Sequence, residues 1–197
     1  ISSHSSQHCS DIQMHGTGGV DVLIEKPLFP AFFDFEALSE FEKRRIFMNL
    51  EYYNAYFISD FINEIKSLDV ENIEIIWHDP LTENRDSEES KYSEIYSSIF
   101  MDQLLHVMSI CKLMRLKTNN FNEIKIVTNN DSHSGGIKIC CDFAGVMVSM
   151  SLSHFADKRE RKIVINRGMV SLDFSAKPII QENGEFVKEI SVSGRLF

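Results

Sequence analysis

Hydrophobic and polar positions divide the chain into two kinds of pattern. Val20-Asp21-Val22-Leu23-Ile24, after Gly16, Gly18 and Gly19, is a short β-rich run that reads as a buried strand of a parallel sheet. It stops at Glu25-Lys26-Pro27, because Pro27 disfavours helix at Lys26 and cannot donate to a ladder. Phe35, Leu38 and Phe41, behind an N-cap at Asp34, predict a helix over 35–43. Ile46 to Tyr53 is rich in β-branched and aromatic residues and reads as a strand, so 20–53 forms one strand–loop–helix–strand unit. Phe57, Phe61, Ile65 and Leu68 recur at helical spacing and predict a second helix over 55–68. A strand follows at 73–77. Residues 79–94 are polar and acidic and hold Pro80, the signature of an exposed loop. A third helix spans 95–115, with Ile99, Leu105, Met108 and Leu113 among its apolar positions. Beyond residue 121 the pattern turns to strands, at 123–128, 136–143, 146–153, 162–166 and 169–174. Ala144-Gly145 and Arg167-Gly168 are their hairpin signals. Strands so closely spaced predict a largely antiparallel sheet. The expected class is α+β: the tail of a parallel-sheet domain over 1–53, then an α+β domain over 54–197, with the boundary near Tyr53.

Composition narrows the function classes. The 197 residues carry 20 Lys+Arg against 29 Asp+Glu, a net charge of −9, which argues against nucleic acid or an anionic membrane surface as the main partner. With 43% hydrophobic residues the chain can bury a core and is not a disordered one. No run approaches the roughly 18 apolar residues of a membrane span. Residues 1–9 have neither a basic n-region nor an apolar h-region, so no signal peptide is expected there. The chain opens on Ile1 rather than Met, which suggests a start inside a longer product. Cys9, Cys111, Cys140 and Cys141 show no CxxC and no disulfide-framework spacing, which fits a cytoplasmic protein. Cys140 and Cys141 should point to opposite faces of one strand.

Few residues stand out as carriers of chemistry. Lys26 ends a buried strand, and open α/β sheets bind ligands at the carboxyl ends of their strands. It can present a charge or a proton to a substrate oxygen, or it is a surface lysine in a turn. Asp102 and His106 are four apart on the third helix and share a face. They read either as a carboxylate-oriented general acid–base or as an ion pair or core histidine of structural use. His4, His8 and Cys9 have partial zinc-ligand spacing, but no second ligand cluster accompanies them, so a solvated or capping role is expected and no metal is assigned. Trp77 and His78 read as core and rim. The run Lys158-Arg159-Glu160-Arg161-Lys162 reads as mixed charge at a turn, too short for a nucleic-acid footprint.

Three of these pieces, in this order, resemble the Gfo/Idh/MocA family of NAD(P)-dependent oxidoreductases. Val22-Leu23-Ile24-Glu25-Lys26-Pro27-Leu28 is similar to its strand-then-EKP motif. Ile1-Ser2-Ser3 with His8 looks like the strand and loop beside the nicotinamide. Asp102-Gln103-Leu104-Leu105-His106 looks like its D-x-x-x-H segment. By that comparison the first Rossmann strands and their glycine-rich fingerprint lie upstream of Ile1, and the last helix lies beyond Phe197. The resemblance implies an enzyme using NAD or NADP on a sugar or polyol, and a homo-oligomer formed through the C-terminal sheet. It implies Lys26, Asp102 and His106 as the catalytic set. Lys26 would polarise or protonate the reacting oxygen, His106 would exchange the hydroxyl proton, and Asp102 would orient His106. Ser2, Ser3, His8, Glu25, Lys26 and Pro27 would hold the cofactor. The competing expectation is a non-catalytic dimerising or binding module without a cofactor site, suggested by the missing glycine-rich loop.

Overall fold

Strict alternation decides the centre of the molecule. In the computed structural model, which describes residues 7–16, 20–26, 44–80, 82–84, 90–92, 100–116, 121–128 and 136–190, Ile73, Ile75 and Trp77 of β3 (Asn72–Pro80) are buried while their neighbours are not. One face of the strand therefore belongs to the core. The residues ahead of it form helix α1 (His8–Gly16), β1 (Val22–Glu25), β2 (Ile46–Asn49) and α2 (Tyr56–Glu64). Those after it form the short strands β4 (Thr82–Asn84) and β5 (Ser90–Tyr92), then α3 (Leu105–Leu113). The chain continues as β6 (Phe121–Thr128), β7 (Gly136–Phe143), β8 (Val146–Ala156), β9 (Glu160–Ile165), β10 (Val170–Asp173), β11 (Ile179–Glu182) and β12 (Glu185–Glu189).

Eight strands form one sheet in the order β12-β11-β10-β9-β3-β8-β7-β6. Its neighbours are antiparallel except β3 and β8, which run parallel. A parallel pair needs a long crossover, and here the connection carries α3. β1 and β2 form a separate parallel pair, Val22 opposite Ile46. The class is thus the expected α+β one, with a largely antiparallel sheet.

The main core lies between that sheet and two helices. Phe57, Ile58 and Phe61 of α2 and Val107, Ile110 and Cys111 of α3 join Ile73, Ile75, Trp77, Met150, Leu152, Ile163 and Leu172 in one cluster. Ile12, Val22 and Ile24 form a second, small cluster under α1. Cys141 is buried and Cys140 half-buried, the two faces of β7.

Several expectations need correction. The strand expected over 46–53 stops at Asn49 and becomes a 3₁₀ turn over Glu51–Asn54, which buries Tyr52 in the main core. Residues 79–94 are not a plain loop: β3 runs on through Pro80, and Thr82–Asn84 pairs with Ser90–Tyr92. Their acidic composition hid a hairpin whose backbone supplies its own hydrogen bonds. His8 opens a helix rather than lying in a loop, and it is buried. Arg159 to Lys162 lead into and form β9, so the alternating charges sort onto two faces of a strand. β11 and β12 were not anticipated, although Asn183-Gly184 between them, both at positive φ (51° and 83°), is a strong hairpin signal. The predicted helix over 35–43 lies outside the described residues.

The turn after β9 shows how one side chain fixes a connection. Asn166 is left-handed (φ 48°). Its Oδ1 accepts from the backbone N–H of Glu71 (2.9 Å) and Asn72 (3.3 Å), and its Nδ2 donates to Asp69 O (2.7 Å). It pins the start of the central strand to the end of β9. Asn166→Ala should cost about 2–3 kcal/mol, the sum of those bonds and of alanine's aversion to that backbone region. Asn166→Asp, which keeps both acceptor bonds, should cost about half as much. Urea unfolding of the two variants measures this, and equal midpoints for all three proteins would contradict it.

Candidate functional site

The site is assembled by a turn of π-helix. Phe100–Leu104 winds one residue wider than an α-helix and leads straight into α3. Such bulges re-aim side chains. Here the turn carries Asp102 and Gln103. Asp102 lies toward the carboxyl end of β1, where Lys26 Nζ donates to its Oδ1 at 2.6 Å. Its other oxygen, Oδ2, lies 3.1 Å from His154 Nε2, on β8. Gln103 is fully buried and donates to Ser153 O at 2.8 Å, which ties the turn to the same strand.

The carboxylate is well placed to stay ionised. Burial works to raise its pKa, but the His154 and Lys26 contacts outweigh burial and hold it far below the usual carboxylate range. His106 moves the other way. It is 1% exposed, and burial, helped by the Lys26 charge, pushes its pKa down to about 3. At neutral pH its ring is uncharged. Its Nδ1 is buried and has no hydrogen-bond partner among the described residues.

Aromatic rings hold that imidazole. His106 stacks on Trp77 (centroids 5.0 Å, interplanar 12°) and meets Tyr52 edge-on at 5.1 Å. The Arg161 guanidinium lies 4.6 Å from the Trp77 ring. It donates to Asp79 Oδ1 at 2.7 Å and also bonds the Tyr52 hydroxyl. Asp79 is a second acidic hub: Trp77 Nε1 donates to its Oδ2 at 3.1 Å, Gln103 Nε2 approaches at 3.4 Å, and Arg159 Nε lies 3.5 Å from Oδ1.

Of the residues singled out in the sequence, Lys26 meets Asp102 at 2.6 Å and His106 follows one turn along. Lys26, Asp102 and His106 converge. However, among the described residues no hydrogen bond joins Asp102 to His106: Lys26 donates to one Asp102 oxygen, His154 Nε2 lies 3.1 Å from the other, and His106 stacks on Trp77. Among the expected cofactor residues, Glu25 accepts from Asn49 Nδ2 at 2.9 Å and so braces β1 against β2. His8 is buried at the start of α1. Ser2, Ser3 and Pro27 lie outside the described residues, as does His4 of the partial zinc spacing. Among the described residues no group of three His, Cys, Asp or Glu could hold a metal ion. No helix among them is long and apolar enough to cross a membrane. Sequence reasoning missed His154, Asp79 and Arg161. A signal for His154 existed, because Met150, Leu152 and His154 alternate along one strand.

No family model and no curated protein matches the chain. Solved structures do. It superposes on a dehydrogenase from Clostridium difficile with a TM-score of 0.65 and 14% identity, covering 98% of this chain and 62% of that one. A UDP-N-acetylglucosamine 3-dehydrogenase from Acidithiobacillus ferrooxidans gives 0.63 and 13%, covering 99% and 64%. An inositol dehydrogenase homolog from Azotobacter vinelandii, solved with NADH and myo-inositol, gives 0.61 and 13%, covering 96% and 55%. The chain spans less than two thirds of each of these proteins. At such identities the likeness establishes the fold.

Because His106 is neutral when folded and free to protonate when unfolded, unfolding takes up a proton between the ordinary value of 6.5 and about 3. Stability should then fall as pH drops through that window, by about 1.4 kcal/mol per pH unit at its steepest. The Asp102 contribution fades only below its ordinary value of 3.8, outside the range from pH 7 to 5. Urea unfolding over that range should show a shallower slope for His106→Gln by about one proton. Identical slopes would contradict the assignment.

Proposed function

We propose that these residues form the reacting part of an NAD(P)-dependent oxidoreductase. It would move a hydride between a nicotinamide and a hydroxyl or carbonyl carbon of a sugar-like or polyol substrate. The observation that carries the reading is the 2.6 Å contact between Lys26 and Asp102, one turn ahead of a buried imidazole whose Nδ1 has no partner among the described residues. A cationic amine, an ionised carboxylate and a neutral imidazole side by side suit a substrate that must lose a hydroxyl proton. That the structural neighbours include proteins named as sugar-nucleotide and inositol dehydrogenases supports the substrate class.

The residues present fit a nicotinamide dinucleotide. The Lys26 amine stands at the carboxyl end of a strand in a parallel pair, where open α/β sheets receive ligands. Glu25 and Lys26 would flank it, with Ser2, Ser3, His8 and Pro27 as the other holders. When bound, the cofactor supplies the hydride acceptor or donor.

The remaining roles belong to the chain. Lys26 donates to the reacting oxygen and offsets the negative charge that develops on it. Asp102 holds that ammonium in place. His106, unprotonated at neutral pH, is the group that would take up the hydroxyl proton on oxidation and return it on reduction. Trp77 and Tyr52 exclude water from the ring they pack against. In the same reading, residues 1–53 belong to the dinucleotide-binding part, 54–197 to the substrate part, and the outer face of the eight-stranded sheet pairs with a second copy.

In the full-length protein, with a substrate found by screening sugars and polyols, Lys26→Ala and His106→Ala should each lower kcat by about 10²- to 10⁴-fold. Dinucleotide affinity should stay within a few fold for His106→Ala. Full turnover by either variant would show the roles to be wrongly assigned.

A further inference from the structure

One buried histidine, His154, has no part in the proposed reaction. His154 is 5% exposed and lies on β8, far from the motif residues in sequence. The strand is irregular there. Along most of β8 burial alternates, but Leu152, Ser153 and His154 are buried in succession. The pairing with β3 shifts at the same point: His78 faces Ser153, and two residues on, Pro80 faces Ala156, three residues on. β8 therefore carries one extra residue over 153–156, a β-bulge. Bulges re-aim side chains and cluster near functional sites. This bulge lies where Ser153 O receives Gln103 and His154 Nε2 meets Asp102 Oδ2.

We infer that His154 is a positioning residue: bulged β8 presents it to one oxygen of Asp102 so that the other oxygen is turned to Lys26. The inference rests on the proposed reading of the site only for its catalytic meaning; the geometric claim stands alone. A carboxylate is planar, so fixing one oxygen fixes the direction of the other. Lys26 has four rotatable bonds, and such a chain gives up considerable freedom when ordered. An aspartate held by Lys26 alone could swing with it. One anchored at 3.1 Å to a buried imidazole, on a turn tied down by Gln103, cannot. The charged and titratable groups that act on Asp102 are Lys26, from the end of β1, and His154, from β8. His106, one turn along, stacks on Trp77 and feels the Asp102 charge without a hydrogen bond to it.

The test reads Asp102 directly. Aspartate labelled with ¹³C at Cγ is incorporated into the full-length protein, and the Asp102 signal is identified by its loss in Asp102→Asn. In His154→Leu the Asp102 titration midpoint should rise by about 1 pH unit or more, as the carboxylate loses a polar neighbour at 3.1 Å while Lys26 remains. In His154→Gln the amide nitrogen can occupy the place of Nε2, and more than half of that rise should be reversed. A purely space-filling role would make leucine, not glutamine, the better substitute. Should His154→Leu fail to fold, the reciprocal measurement decides: Asp102→Asn should shift the ring ¹⁵N signals of His154 and leave those of His106 nearly in place. An unchanged Asp102 midpoint in folded His154→Leu, or unchanged His154 signals in Asp102→Asn, would overturn the inference. Neither readout depends on turnover. Failure of the full-length protein to bind a dinucleotide would refute the oxidoreductase reading while leaving this result untouched.

Discussion

One part-buried carboxylate organises the site. Removing most of a carboxylate's water is costly unless partners replace it, so Asp102 needs matching groups. The fold matches it twice, with an ammonium from the end of a parallel strand and an imidazole from the central sheet. These two partners come from different parts of the chain. Asp102 is thus the electrostatic link between the small cluster around Ile12, Val22 and Ile24 and the main core around Trp77. It also explains why His106 can remain neutral so close to an acid, since the aspartate's charge is already answered by Lys26.

Asp79 repeats the logic on the other side of the π-turn. Arg161 and Arg159 approach one of its oxygens, and Trp77 and Gln103 approach the other. Gln103 approaches Asp79 and bonds β8 at Ser153, next to His154, which lies 3.1 Å from Asp102. Trp77, bonded to Asp79, also stacks on His106, with Arg161 against the same indole. A guanidinium on an aromatic face needs no further acceptor on that side. The imidazole is therefore oriented by packing and its protonation is set by burial and by the cations around it, with no carboxylate bonded to it. That differs from the carboxylate–histidine arrangement that i,i+4 spacing suggests.

Much of this was legible in the chain and some was not, for identifiable reasons. β3, β7, β8 and the helix around Phe57 and Phe61 follow apolar periodicities that packing then enforces. Lys26, Asp102 and His106 stood out because strand ends and helical spacing are local facts. The partner of Asp102 was not local: His154 is 52 positions away, and only the β3–β8 register and its bulge bring it there. Asp79 was lost in an acidic run, because composition cannot tell a solvated carboxylate from one that faces Arg161. The Arg159/Arg161 alternation marks one face of an incoming strand, which a short charge run beside a turn does not reveal. Asn183-Gly184 is a local hairpin signal, legible in the sequence itself.

The central claim is that this lysine–carboxylate–imidazole set faces a nicotinamide. It is tested most directly by titrating the full-length protein with NAD(H) and NADP(H), by calorimetry or by quenching of protein fluorescence. The account predicts saturable binding of at least one of the two dinucleotides, at one site per chain. Absence of binding of either, by a folded full-length protein, would contradict it and would leave this α+β fold serving as a binding or assembly module.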